Sequence, residues 1–401
     1  MNSRWIRNLS VWFYLGFFII SICGYLIFRF NDISLYTITL YLLYALSFVF
    51  GISLGSGFTP VKILHLKICS DKLIKCLLPL TAIGVILGWM YMIRHYGSIA
   101  YILAHSYDVR NETIGDGIQL IPTYISYISS FADAGIVLAL SRLYHYRNKR
   151  DLLYVFAFAI LIFLMDLQSF GRVGILYIIF VLVGCIRLFK IKINFRQLIF
   201  YGFILLFILM LPRWLRGGNS LEGVADTYTP YLRYNLPSFC SPFISLYSYY
   251  FSGLFAFNEL VSNQIADMQL WLGRRNFSSL INLFNRLFGD SADFHRITII
   301  ADPVNIPYSI NIYTILGESY MDFGVLGLIL LPLFFGTCIG YFFKFRGVYA
   351  DALKLVFVAW LFYNPIYNLF SFGGFMLAYM FLAFLTLVSS PETSSLNNKN
   401  L

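Results

Sequence analysis

The chain has 401 residues, of which 59% are hydrophobic and only 12% charged, with a formal net charge of +10. An average soluble domain is about 25% charged, so this composition excludes a string of ordinary soluble domains. Nearly uncharged runs of roughly 17–22 residues recur along the chain, and each is long enough to cross a hydrocarbon core of about 30 Å as a helix.

Taken in order, these runs predict ten spans, at about 9–28, 33–54, 76–93, 118–140, 152–168, 173–189, 197–212, 322–343, 352–370 and 372–389, within a range of about 10–12. In lipid each backbone donor and acceptor must be satisfied within the segment, which favours helices, and the alternating code of a membrane barrel is absent. The expectation is an all-α, polytopic transmembrane helical bundle, read as one integral membrane domain over 1–401. Arg4 and Arg7 precede a first run too long for a signal-peptide core, with no small-residue cleavage site after it. That first helix is expected to stay in the membrane.

The basic residues act as topology signals rather than as a nucleic-acid surface. One set of loops carries Arg4 and Arg7, then Lys62, Lys67, Lys72 and Lys75, then Arg142, Arg147, Lys149 and Arg150, then Arg187, Lys190, Lys192 and Arg196, then Lys344, Arg346 and Lys354. The opposite short loops hold only Arg29, Arg94, Arg110 and Arg172. This asymmetry places both termini in the cytoplasm. Of the cysteines, Cys23, Cys69, Cys76, Cys185, Cys240 and Cys338, only Cys240 lies in an outward loop, so no structural disulfide is expected.

Two outward segments stand out, about 94–117 and the much longer 213–311. A loop of that length is usually functional. Within it Phe277, Leu280, Ile281, Phe284, Leu287 and Phe288 fall at helical spacing, predicting an amphipathic helix on the membrane surface or against the bundle. Tyr228, Tyr231, Tyr234, Tyr247, Tyr249 and Tyr250 could stack on sugar rings or cover the bundle mouth.

No Walker A or HExxH motif occurs, and no serine sits in a GxSxG elbow, since the one such string, Gly51–Gly55, falls in a predicted span rather than a strand-to-helix turn, so ATP-driven transport, zinc hydrolysis and a serine nucleophile are unsupported. The five histidines are His65 and His145, expected to be solvated on the cytoplasmic side, and His95, His105 and His295, expected outside. They are too scattered for a metal site, and neither metal nor cofactor is expected. Arg172, in the short turn SFGRVG, either snorkels to the interface or grips an anionic ligand with its planar fork. Arg110 either pairs with Asp108 or Glu112 or plays the same anion-binding part. Arg274 and Arg275 either anchor to lipid phosphates or hold a ligand diphosphate. Glu318 and Asp322, four apart, share one helix face at the mouth of a span, where an acid needs solvent or a partner. Asp133 and Asp166 are expected to make buried polar contacts between helices, and Gly324 and Gly327 to mark close helix contacts.

Four segments, in order, resemble the Wzy-type oligosaccharide repeat-unit polymerases, or O-antigen polymerases. They are GSIAYILAHSYDVRNETIGDGIQL, SFGRVGILYIIF, the pair SYYFSGLFAFNELV and WLGRRNFSSLINLFNRL, and NIYTILGESYMDFGVLGLILLPLFFGTCIGYFF. The likeness spans roughly 85–385. It implies a GT-C-like fold with 213–311 as a periplasmic loop, and a metal-independent glycosyltransferase of the bacterial inner membrane. Donor and acceptor would both be oligosaccharides on undecaprenyl diphosphate, set in membrane lipid, with a chain-length regulator as a further partner the family allows. In that reading Arg110, Arg172, Arg233, Arg274 and Arg275 bind diphosphate, and the general base is His295, or else Glu318 or Asp322. The rival readings are an O-antigen ligase, which is also GT-C-like, and a flippase or other transporter of lipid-linked oligosaccharide.

Overall fold

A computed structural model describes residues 3–110, 112, 120–171, 173–191, 194, 196–197, 228–237, 240–262, 270, 272–281, 304–305, 309–310, 314–369 and 373–390. The described chain is dominated by helix. In order come α1 (Ser3–Ile22, extended by a 3₁₀ turn Cys23–Leu26), α2 (Leu35–Gly57), α3 (Ser70–Tyr96), α4 (Ile99–Ala104), α5 (Ser106–Arg110), α6 (Thr123–Tyr146), α7 (Lys149–Ser169) and α8 (Val173–Leu188). Then follow α9 (Ser241–Phe251), α10 (Gly253–Ser262), the two-residue strands β1 (Val304–Asn305) and β2 (Ser309–Ile310), and α11 (Thr314–Phe323). A 3₁₀ turn, Gly324–Leu326, leads into α12 (Gly327–Phe342), α13 (Val348–Tyr363) and α14 (Gly373–Val388). Among the described residues six helical segments are long and apolar enough to cross a membrane, and Val173–Leu188 and Gly374–Val388 are shorter apolar helices. The expected span at 197–212 lies outside the described residues, apart from Gln197.

Local chemistry sets the ends. The Ser34 hydroxyl accepts the Thr37 N–H at 3.1 Å to open α2, and Asn148 accepts the Arg150 N–H at 3.0 Å to open α7. Two boundaries differ from those expected. The helical segment predicted from 322 begins at Thr314, and Gly324, at φ +60°, bends it through the 3₁₀ turn into α12. Gly324 therefore serves the bend rather than a close contact, whereas a Cβ on Gly327 would lie 1.9 Å from the Ser319 carbonyl oxygen. The segment predicted to run to 370 leaves its helix at Tyr363, because Asn364 precedes Pro365 and that residue is steered away from helical geometry.

The chain divides into two compact units. The first comprises Met1–Phe58, Gly217–Tyr341 and Trp360–Phe372, and the second comprises Thr59–Arg216, Phe342–Ala359 and Gly373–Leu401. The first unit has an aromatic core: Tyr14 packs edge-on against Tyr44 and Phe48, and Phe48 and Phe335 both meet Trp360. Its α2 and α12 touch through glycines. A Cβ on Gly51 or Gly55 would fall 2.4 or 1.9 Å from the carbonyl oxygens of Leu333 and Thr337, and one on Gly336 or Gly340 would fall 2.3 or 2.2 Å from those of Phe48 and Ile52. Without a hydrophobic drive between helices in lipid, such backbone proximity supplies the packing attraction.

In the second unit α3, α6, α7 and α14 pack closely, with Gly84 beside the Ser129 backbone and Gly374 beside the Ser130 side chain. Arg142 is buried there and bonded to Asp151 at 3.1 Å, Ser70 at 2.6 Å and Asp71 at 3.2 Å. His145 is not simply solvated: its Nε2 lies 2.9 Å from Asp351, which also receives Lys354 at 2.8 Å.

Candidate functional site

The first unit holds a buried polar network around the turn Leu272–Gly273–Arg274–Arg275–Asn276. Leu272 and Gly273 are both left-handed, at φ 49° and 86°, which folds the chain back before it enters a helical run closed by Phe277 N–H to Gly273 and Ile281 N–H to Phe277, each at 2.9 Å. A run starting this way has main-chain N–H groups with no partner of its own. Asp322, on α11, supplies one from outside. Its Oδ1 accepts the Arg275 N–H at 3.0 Å, and its Oδ2 accepts the Asn276 N–H at 2.9 Å and the Asn276 side-chain amide at 2.7 Å. The Asp322 carbonyl also accepts the Leu272 N–H at 2.9 Å.

From Asn276 the network continues into the turn after α13. Asn368 donates its side-chain amide to Asn276 Oδ1 at 2.9 Å and its main-chain N–H to Glu318 Oε2 at 3.0 Å, and accepts the Trp360 indole N–H at 2.9 Å. Asp322, Asn276 and Asn368 have no exposed surface and Glu318 only 4%. Buried carboxylates are tolerable only when their lone pairs are engaged, which the network achieves. Of the two conditions expected for these acids, solvent or a partner, it is partners that they find: Asp322 accepts three N–H donors and Glu318 the Asn368 N–H.

The two arginines of the turn part company. Arg275 is 6% exposed and close enough to Glu318 for their charges to interact, whereas Arg274 is exposed. Arg233 is exposed, donates Nε–H to the Phe28 carbonyl at 3.0 Å and joins a backbone bridge between Phe28 and Leu232. Tyr247 and Tyr250 use their hydroxyls to bind main-chain carbonyls of Ile20, Ser21 and Phe362, which suits covering rather than stacking. Tyr234 is exposed.

Arg110 belongs to the second unit, where a guanidinium N–H reaches the Phe170 carbonyl at 3.4 Å. Glu112, a candidate partner for it, receives the Tyr96 hydroxyl at 2.9 Å and lies 3.1 Å from His95 Nε2. Asp166 caps α8 directly, accepting the N–H groups of Gly174 at 3.0 Å and Ile175 at 2.7 Å. Arg172 and His295 lie outside the described residues.

Reading the sequence by charge alone passed over Asn276, Asn368 and Trp360. The signal available was LFYNPIYNLF, where two asparagines four apart interrupt an apolar run, since polar groups at membrane depth are costly and functional by default.

These features define an all-α, polytopic membrane protein with a buried carboxylate–asparagine network holding an arginine turn. Comparison with protein-family models, with curated proteins and with solved structures finds no match.

Proposed function

We propose that the chain polymerises undecaprenyl-diphosphate-linked oligosaccharide repeat units, acting as a GT-C-like glycosyltransferase at the periplasmic face of the bacterial inner membrane. The observation that carries this reading is the turn held by Asp322, which fixes Arg274 at the surface of a unit whose interior holds the Glu318 carboxylate. The four segments that resemble repeat-unit polymerases supply the substrate class, and they include this turn and α11.

In the proposed reaction an acceptor hydroxyl oxygen attacks the anomeric carbon at the reducing end of the donor glycan. The bond from that carbon to the diphosphate oxygen breaks, the hydroxyl proton passes to a base, and undecaprenyl diphosphate departs with the electron pair. Negative charge grows on the leaving diphosphate, where a fixed guanidinium stabilises it most. Arg274 fits that role by its exposure, with Arg110, Arg172 and Arg233 as further candidates. Glu318 or His295 would take the proton. Asp322, with both carboxylate oxygens bonded to N–H donors, is better suited to holding the turn than to receiving a proton. The 213–311 segment would then lie in the periplasm and both termini in the cytoplasm.

The test is glycan length in a strain lacking its own polymerase, supplied with cognate repeat-unit genes and this chain. A ladder of repeats that depends on the chain is expected. A single-repeat band despite membrane expression would discard the polymerase reading in favour of ligation or transport.

A further inference from the structure

The chain builds the same kind of turn twice, once in each unit. In the second unit the turn is at Phe170–Gly171, which Arg172 follows in the sequence, and in the first it is Leu272–Gly273–Arg274. The residue before each glycine is left-handed although it carries a side chain, at φ 47° for Phe170 and 49° for Leu272. A bulky residue keeps that conformation only where its surroundings impose it. Phe170 is the left-handed cap of α7 itself, while Leu272 is held by a residue far along the chain, yet the two turns share one feature. Each turn leads into a helical run whose early N–H groups are bound by one buried aspartate of a neighbouring helix: Gly174 and Ile175 by Asp166, Arg275 and Asn276 by Asp322. The same aspartate also takes an N–H of the turn on its main-chain carbonyl, from Gly171 to Asp166 and from Leu272 to Asp322, both at 2.9 Å. The acid lies 8 and 9 residues from the N–H groups it binds in one turn and 46 and 47 in the other, and in both sequences an arginine follows the glycine.

We infer that Asp322 is the positioning residue of this arginine turn. It sets the backbone of Gly273–Asn276 so that Arg274 is presented to a lipid-linked diphosphate, and Asp166 builds the equivalent turn in the other unit. The inference rests on the diphosphate reading above and adds to it the group that makes the arginine effective. The acid does not act on the ligand directly, because it has no exposed surface and its oxygens are committed to three N–H donors. It acts through the main chain it holds. A guanidinium on a fixed backbone loses less freedom on gripping a phosphate than one on a loose loop. An asparagine at 322 would not substitute well: it offers one acceptor oxygen, and its NH₂ would face a main-chain N–H.

The experiment measures binding of farnesyl diphosphate, a short prenyl diphosphate, to the full chain purified in detergent. The expected result is that Arg274→Ala and Asp322→Asn each weaken binding by about tenfold or more, while the two together weaken it by no more than about twofold beyond Arg274→Ala alone, since residues acting through one contact are not additive. A merely structural role for Asp322 predicts losses that multiply, and that result overturns the inference, as does wild-type affinity in Asp322→Asn. Should Asp322→Asn fail to accumulate, Asn276→Ala decides: it removes the 2.7 Å bond to Asp322 and the 2.9 Å bond from Asn368 but leaves both main-chain bonds to Asp322. A loss of about threefold or more is expected from loosening the turn, and unchanged binding overturns the inference. Absence of binding by the wild-type chain discards the diphosphate reading itself, and the inference with it, which separates the two failures.

Discussion

The main-chain N–H of Asn368 points at Glu318 Oε2 from 3.0 Å, so a backbone group fixes how this buried carboxylate is turned. An amide oxygen can accept the same bond. Glu318→Gln should therefore keep the chain folded, with stability changed by about 1 kcal/mol or less, while removing any capacity to take a proton. Polymer output in the complementation assay is expected to fall by about 10²-fold or more, the usual scale for losing a general base. Full-length polymer from Glu318→Gln would remove this residue from the chemistry and leave His295 as the candidate.

The neighbouring arginines should separate in their effects. Arg275 is buried and its main chain is held by Asp322, and truncating a buried side chain in a hydrogen-bonded network costs more than the usual surface substitution. Arg275→Ala is expected to unfold in detergent at clearly lower temperature than the wild type. Arg274→Ala, at an exposed position, should leave that temperature within the scatter of surface substitutions, about ±0.5 kcal/mol. Equal melting of the two variants would contradict the split.

Much of this was legible in the sequence. Run length and low charge give the helices, and the arginines at 274 and 275 were singled out, though not the turn that holds them. What the sequence withheld was pairing across distance. Asp322 and Asn276 are 46 positions apart, and Asn368 meets Asn276 across 92, so no local spacing reveals that they share hydrogen bonds. The same is true of Arg142: counted among the basic residues of a loop, it is buried in the folded chain with Asp71, Ser70 and Asp151 around it. Glu318 and Asp322 were placed on one helix face from their spacing, and they do share α11, but their burial depends on the later turn at Asn364–Leu369 closing over them.

That Arg142 cluster gives a third prediction. Arg142→Met strands the buried Asp151 carboxylate, at a cost of about 3–5 kcal/mol. Replacing both partners, as Arg142→Met with Asp151→Leu, should cost less than Arg142→Met alone, because no uncompensated charge is then left inside. Thermal unfolding of the two variants in detergent measures the difference, and a double variant less stable than the single one would show that the pair is not the source of the loss.

Asp166 offers a fourth. Asp166→Ala leaves the buried N–H groups of Gly174 and Ile175 without their acceptor, at about 1–3 kcal/mol each. Asp166→Asn retains one acceptor oxygen and should fall between the wild type and the alanine variant. Hydrogen exchange at the start of α8 is the direct readout, with Gly174 and Ile175 expected to lose protection first in the alanine variant. Unchanged protection there would mean that another group closes the end of the helix.

The glycine seam between α2 and α12 makes these two helices a closed joint in their unit. With Gly51, Gly55, Gly336 and Gly340 each bringing backbone against backbone, no gap the width of an acyl or prenyl tail remains between these two helices. They cannot part like a door without forfeiting the contact that joins them. Any lateral entry for an isoprenoid tail into this unit must use a different pair of helices, and the seam behaves as the fixed wall against which such an entry would open.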